Sequence, residues 1–146
     1  MKKIIHFAKY SKTKTGGIET TLRLFQDNKN YQNRFIVYSK NNSIDSDEVK
    51  CKVNFILFKQ PISFSYFKNL VSILRKGDTY IVIHMPNLQL LPFIRLIRFI
   101  NSKCILFWHA DPISSESKVV QKIMFTILTL FIGRDINIIA SSKFDV

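Results

Sequence analysis

Short apolar runs alternate with amphipathic segments along most of the chain. The runs are rich in β-branched residues, and their length is typical of strands rather than helices. They predict six strands, at residues 3–8, 34–39, 52–58, 79–84, 103–108 and 136–140. Four of the intervening segments place apolar side chains three and four residues apart, which is the spacing of a helix with one buried face. They predict helices at residues 18–26, 64–75, 88–100 and from 114 or 115 to about 131.

This alternation predicts the fold class. Strands that alternate with helices form right-handed βαβ units and a parallel sheet. We therefore expect an α/β fold with a doubly wound parallel sheet of about six strands. Asn87 is a candidate cap for the helix at 88–100, but Pro92 leaves the true start of that helix open.

The length of 146 residues suits one domain, which we expect to span residues 1–146. The last predicted strand ends at Ala140, so the helix that should cover it has only six residues in which to begin. This layout predicts the N-terminal part of a longer architecture.

Basic residues outnumber acidic ones by 22 to 10, which gives a formal net charge of +12. A field of this sign favours nucleic acid, phosphorylated ligands or an anionic membrane surface. The basic residues are scattered, however, and the sequence contains no zinc finger, RNP1-type run, KH loop or dense basic block. We therefore do not expect nucleic acid as a partner.

Basic residues also interrupt the predicted apolar helices. Arg95 and Arg98 are three apart and share one helical face, and Lys118 and Lys122 are four apart. No uncharged run reaches the ~18 residues needed to span a bilayer. The pattern predicts either peripheral attachment to the inner face of an anionic membrane or an ordinary solvated basic face, in a cytoplasmic protein.

The two cysteines lie in or beside apolar runs and have no partners at metal-ligand spacing. Cys51 and Cys104 are far apart in the sequence. Such residues are typical of buried free thiols, which is consistent with the cytosol.

Candidate site residues lie where predicted strands end, because ligands of parallel sheets bind at the carboxyl ends of the strands. Gly16 and Gly17 follow the first strand. Paired glycines let a phosphate approach a helix N-terminus, although a flexible turn has the same composition. His84 ends the fourth strand, either as a structural histidine or as a site residue. His109 and Asp111 follow the fifth strand.

Other chemistries find less support. His109 and Asp111 lack the further ligands that zinc requires, so no metal site is expected. No serine lies in a nucleophile elbow, and neither cysteine has an activating neighbourhood. Residues 141–142 are both serine and predict a helix cap, with a site role as the alternative. His6 is expected in the core, at the start of the sheet and far from the loops.

Four segments, taken together and in order, resemble a known family. Residues 16–19, Gly-Gly-Ile-Glu, resemble the GG-x-E signature of GT-B-fold, retaining glycosyltransferases of family 4. The strand at 80–84, followed by Pro86, looks like the family's strand that leads to an acceptor-side loop. Residues 107–111 resemble its strand-end histidine segment, and residues 138–142 its segment of a strand followed by serine.

The resemblance implies roles for five residues. Gly16 and Gly17 would touch the diphosphate of the sugar donor. His109 would lie near the transferred sugar as the catalytic residue, and His84 and Asp111 would border the acceptor. Family members need no obligatory metal, and no other cofactor is expected.

The resemblance also implies that the chain is half of an enzyme, the Rossmann-like acceptor side of a GT-B architecture. The whole enzyme would be a hexosyltransferase that transfers a sugar with retention from a nucleotide-sugar. The acceptor would be a saccharide or a lipid-linked acceptor, so that the enzyme would extend a polysaccharide or a glycolipid in cell-envelope assembly. The nucleoside diphosphate would leave through electrostatic stabilisation rather than through a metal.

The family's second, donor-binding domain carries an E-x7-E motif that this sequence lacks, since Glu19, Glu48 and Glu116 are far apart. The isolated chain is therefore expected to be inactive. The alternative is a non-catalytic α/β module that keeps the fold as a remnant or partner-binding domain. An in-frame continuation beyond Val146 bearing E-x7-E would favour the enzyme half, and a stop followed by unrelated sequence would favour the module.

Overall fold

The computed structural model describes residues 2–9, 17–44, 46–57, 60–75, 78–85, 87, 89–109, 126, 130–132 and 137–140. In chain order the elements are β1 (Lys2–Phe7), α1 (Gly17–Asp27), β2 (Tyr31–Ser39), β3 (Ser43–Ile44), β4 (Glu48–Lys52), β5 (Phe55–Leu57), β6 (Gln60–Ile62), α2 (Phe64–Leu74), β7 (Tyr80–Met85), a 3-10 turn (Leu91–Phe93), α3 (Ile94–Ile100), β8 (Cys104–Trp108) and β9 (Asn137–Ala140). Residues 126 and 130–132 are also helical.

The main sheet confirms an α/β fold with mostly parallel strands. Within the described residues it has seven strands in the order β3-β4-β2-β1-β7-β8-β9. All neighbouring pairs are parallel except β3 with β4. The count exceeds the expected six because of β3, a two-residue antiparallel strand at one edge. Numbered among themselves, the parallel strands run 3-2-1-4-5-6, which is compatible with a Rossmann-like fold.

The prediction of the third strand at residues 52–58 was wrong in position. The strand that pairs with β2 is β4, in which Val49 and Cys51 alternate onto a buried face. The apolar run that follows contributes β5, which, among the described residues, pairs with β6 in a separate two-stranded sheet. The side chains of β5 stay largely exposed, Ile56 at 72%. In β4 the buried residues alternate and face helix α2. This alternation predicts the strand better than the continuous apolar run at 52–58 does.

The structure resolves where the helix predicted at 88–100 begins. Oδ1 of Asn87 accepts a hydrogen bond from the backbone N–H of Leu90 at 3.2 Å. This bond precedes the 3-10 turn, which has Pro92 in its first positions, and α3 starts only at Ile94, so Asn87 does not cap α3 itself. Proline is tolerated there because the first N–H groups of a helical segment need no internal partner.

Helices cover both faces of the sheet. On one face, α2 and α3 pack through residues such as Leu70 and Ile97 against Phe7 and Ile83 in the larger core cluster. On the other face, Leu22 of α1 packs against a smaller cluster, Ala8, Phe35 and Val37, with Phe25 beside it. The two faces therefore have separate cores, as alternation along the strands requires.

Cys51 and Cys104 are buried free thiols, as predicted. Burial raises the pKa of the Cys104 thiol to about 12, although nearby Arg98 opposes that effect. Among the described residues, no helix has the length and apolar character that crossing a membrane requires.

Candidate functional site

Three histidines come together across adjacent strands near the carboxyl edge of the sheet. Nδ1 of His6 in β1 lies 3.0 Å from Nε2 of His84 in β7. Nδ1 of His84 lies 2.5 Å from Nε2 of His109, the residue that follows β8. We call His6, His84 and His109 the histidine row.

The strand register explains why these rings meet. His6 pairs with Val82, so His84 lies two residues further along β7. His84 in turn pairs with Phe107, and His109 lies two residues beyond it. Because side chains two residues apart point to the same face, all three rings lie on one face of the sheet. Each ring lies two residues closer to the carboxyl edge of the sheet than the ring before it. The row therefore runs from the buried sheet interior to the loop after β8.

Asn33 in β2 closes the inner end of the row. Its Oδ1 lies 3.1 Å from Nε2 of His6, and its Nδ2 donates to the backbone carbonyl of Phe25 at 2.6 Å. The row is thus continuous with the main chain of α1.

Aromatic rings enclose the row on the face covered by α1. The His6 ring lies 4.6 Å from the ring of Phe25 and 4.9 Å from that of Phe35. Phe107 stacks on both outer rings, 5.6 Å from His84 and 4.6 Å from His109. These neighbours exclude water from the inner part of the row and leave the outer ring half-buried.

Burial keeps the row uncharged at neutral pH. Burial lowers the pKa of His6 to about 4, against the opposing hydrogen bond from Asn33. For His84, burial is again the main cause of a pKa well below the usual value, and the adjoining His6 and His109 add to it. Burial also lowers the pKa of His109 to about 4. Each ring therefore has one protonated nitrogen, which donates, and one unprotonated nitrogen, which accepts, near pH 7.

The structure brings some of the predicted site residues together. His84 and His109 are in direct contact, stacked with ring centroids 4.8 Å apart. Gly17 is the first residue of α1, the helix that follows β1. Gly16, Asp111 and residues 141–142 lie outside the described residues.

His6 corrects one expectation. It is fully buried, as predicted for a core residue. It is not at the start of the sheet, however, because it is the next-to-last residue of β1 and contacts His84. Its position near the end of the first strand was the one feature of the sequence that could have indicated a site residue. Its contact with His84, however, depends on which strands are neighbours in the sheet.

A second polar network on the opposite face holds the ends of β1 and β7 together. The hydroxyl of Tyr66 donates to the carbonyl of Ala8 at 3.4 Å and accepts from Nδ2 of Asn87 at 2.8 Å. The Tyr38 hydroxyl donates to Gln89 at 2.9 Å, and the two tyrosine rings stack. Burial raises the pKa of Tyr66 well above its usual value, so this network is neutral as well. Sequence reasoning missed both tyrosines.

The arrangement suits hydrogen bonding to a ligand more than metal binding. Within the described part of the chain, no group of three His, Cys, Asp or Glu side chains could hold a metal ion. In the histidine row, both nitrogens of His84 face neighbouring rings, and Nδ1 of His109 is the one ring nitrogen with no partner among the described residues.

No family model matches the sequence, and no curated protein or solved structure gives a match to it.

Proposed function

We propose that this chain is the N-terminal, acceptor-side half of a GT-B-fold, retaining glycosyltransferase of family 4. In this proposal the chain is a Rossmann-like domain with a doubly wound sheet, which forms the acceptor side of the active site. A separate donor-binding domain completes that active site. The product would be a polysaccharide or glycolipid of the cell envelope. The alternative is a non-catalytic module with the same fold.

The contact between His84 and His109 beside the reversal of strand order is the observation that carries the proposal. β1 and β7 are neighbours, but the connection after β1 leads to β2 on one side and the connection after β7 leads to β8 on the other. In open α/β sheets ligands bind outside the carboxyl ends of the strands at this switch point. The residues matching two separate family segments thus lie together where the fold favours a ligand.

The first loop supplies the second support. Helix α1 follows β1 and begins at Gly17. A helix N-terminus directs unpaired N–H groups and a positive dipole end toward a ligand, which suits a diphosphate. Gly16 and Gly17 would form one wall of the donor diphosphate site, His109 would adjoin the transferred sugar, and His84 and Asp111 would border the acceptor.

Nucleotide titration tests the proposal. We expect a nucleotide-sugar and its nucleoside diphosphate to shift the backbone amide signals of Gly17 and His109 in a two-dimensional NMR spectrum of the labelled chain. Gly17→Val places a branched side chain at the start of α1 and should raise the Kd about tenfold, equivalent to ~1.4 kcal/mol. Gln26→Val introduces the same side chain in the last turn of α1 and should leave the Kd unchanged.

The outcomes test the roles assigned to the first loop. Shifts confined to the carboxyl edge, with a Kd raised only by Gly17→Val, would support the half-enzyme. A folded chain with no shift at millimolar nucleotide, across uridine, guanosine and adenosine derivatives, would exclude Gly16 and Gly17 from a donor diphosphate site.

We also propose peripheral binding to an anionic membrane through the outer face of α3. Leu96, Phe99 and Ile100 are exposed there, Phe99 at 89%. Exposed Arg95 lies on the same helix, and Lys68 lies on the adjacent α2. A helix with exposed apolar residues and basic neighbours suits the interface of an anionic bilayer. The alternative is a solvated basic face.

Arg98 does not support that surface as the sequence suggested. Arg98 is half-buried, whereas Arg95, three residues earlier on the same helix, is exposed. One terminal nitrogen of Arg98 is buried and has no hydrogen-bond partner among the described residues. Lys118 and Lys122 lie outside the described residues.

A further inference from the structure

The chain of hydrogen bonds that ends at His109 has a direction. It starts at the backbone carbonyl of Phe25, which can only accept. This carbonyl lies 2.6 Å from Nδ2 of Asn33, so the Asn33 amide directs its N–H group toward Phe25. Its carbonyl oxygen Oδ1 then faces Nε2 of His6, at 3.1 Å.

Each bond in the row then determines the next. Because Oδ1 of Asn33 can only accept, Nε2 of His6 carries the hydrogen and Nδ1 of this neutral ring is a lone pair. That lone pair accepts from Nε2–H of His84, 3.0 Å away. Nδ1 of His84 is then also a lone pair and accepts from Nε2–H of His109. The unprotonated Nδ1 of His109 is the end of the chain.

The opposite direction fails at the inner end. It would place an unprotonated Nε2 of His6 against Oδ1 of Asn33. Rotating the amide by half a turn would relieve that contact but bring Oδ1 against the Phe25 carbonyl. Either arrangement pairs two acceptors in a part-buried site, and an unmade buried hydrogen bond is costly.

We propose that Asn33, His6 and His84 are positioning residues that hold His109 with its hydrogen on Nε2 and a lone pair on Nδ1. His109 then presents a fixed acceptor at the carboxyl edge of the sheet, for a ligand group that donates a hydrogen bond, such as a neutral hydroxyl. The inference concerns the tautomer of His109 and does not depend on glycosyl transfer, so it and the proposed function fail separately.

NMR of the wild-type chain with labelled histidine tests the direction of each bond. At neutral pH we expect all three rings to show a protonated Nε2 and an unprotonated Nδ1. We also expect nitrogen–nitrogen couplings through the two bonds between rings, with each hydrogen attached to the Nε2 partner. A hydrogen on Nδ1 of His84 or His109, or no coupling between rings, would overturn the proposal.

Substitution of Asn33 tests transmission along the row. Asn33→Leu removes the acceptor that selects the direction, so the hydrogen on Nε2 of His109 should exchange with solvent about tenfold faster, as expected for loss of one buried hydrogen bond. Asn42→Leu is the matched control, because Oδ1 of Asn42 accepts from Lys52 and Ser65 near the distant edge of the sheet.

The variants have clear contrary outcomes. Faster exchange at His6 with no change at His109 would confine the effect of Asn33 to its neighbour and refute the relay. Equal acceleration in Asn42→Leu would show general loosening instead. The couplings in the wild-type chain need no substitution, so the proposal remains testable even where a variant does not fold.

Discussion

The buried histidines His6 and His84 make the folding stability of this protein depend on pH. His6 is enclosed by Phe25 and Phe35 and hydrogen-bonds to Asn33 and His84. Among the described residues, no carboxylate partner favours its charged form. Folding therefore requires the neutral ring, and acid opposes folding.

We predict that stability falls between pH 7 and pH 5. The pKa of His6 is 6.5 when exposed and about 4 when folded, so the unfolded chain binds more protons below pH 6.5. Stability from this group is complete above pH 6.5 and is lost as pH falls toward 4. At about 1.4 kcal/mol per pH unit, His6 alone should remove about 2 kcal/mol by pH 5. Urea unfolding at the two pH values measures the loss.

The control for this prediction is His6→Phe, which keeps an aromatic ring in the same enclosure. The variant should lose about 2 kcal/mol less than the wild-type chain between pH 7 and pH 5. Identical losses in the two proteins would mean that His6 is not neutral and buried in the folded state.

At the level of elements, short polar side chains join the helices to the strand ends. Asn101 ends α3 and is buried. Its Nδ2 donates to the carbonyl of Thr79 at 2.8 Å, and its Oδ1 accepts from the N–H of Lys103 at 2.9 Å. One side chain thereby ties α3 to the starts of β7 and β8.

We predict that Asn101→Ala lowers the free energy of unfolding by about 2 kcal/mol, because the buried Thr79 carbonyl and the part-buried N–H of Lys103 both lose their partner. Denaturant unfolding followed by circular dichroism measures the change. Asn28→Ala is the control, since its hydrogen bond to Asn30 is exposed and should matter by less than about 0.5 kcal/mol. Equal effects of the two substitutions would contradict the structural role of Asn101.

For the whole molecule, the proposed membrane contact lies on one face of the sheet. The outer face of α3 exposes Phe99 and Arg95, and α1, across the sheet, exposes Leu24. Leu24 therefore provides an internal comparison for Phe99.

We predict that the chain co-sediments with anionic vesicles at low salt and is released at high salt, since each well-placed basic residue contributes about 1 kcal/mol. Phe99→Ser should weaken binding about tenfold, in line with the ~1.5–3 kcal/mol for burying such a side chain. Leu24→Ser should have no effect. Binding that ignores lipid charge would exclude the electrostatic mechanism, and no binding at low salt would exclude the membrane.

Hydrophobic patterning along the chain is enough to predict the alternation of strands and helices, and with it a mostly parallel α/β sheet. Hydrophobic periodicity is local, so strands such as β7 and β8 and the helix α2 are predicted close to their observed positions. The sequence also placed His84 and His109 at strand ends, because short apolar runs stop there. It misplaced the third strand, because apolar content alone does not reveal which short run finds a partner.

Which strands are neighbours, and therefore which side chains meet, is visible only in the folded chain. His6 lies 78 positions from His84 in the sequence, and nothing in either segment encodes their pairing. Sheet order places β1 beside β7, and register then sets each ring one step from the next. The neutral state of the row follows from that enclosure, because desolvation depends on neighbours that are distant along the chain.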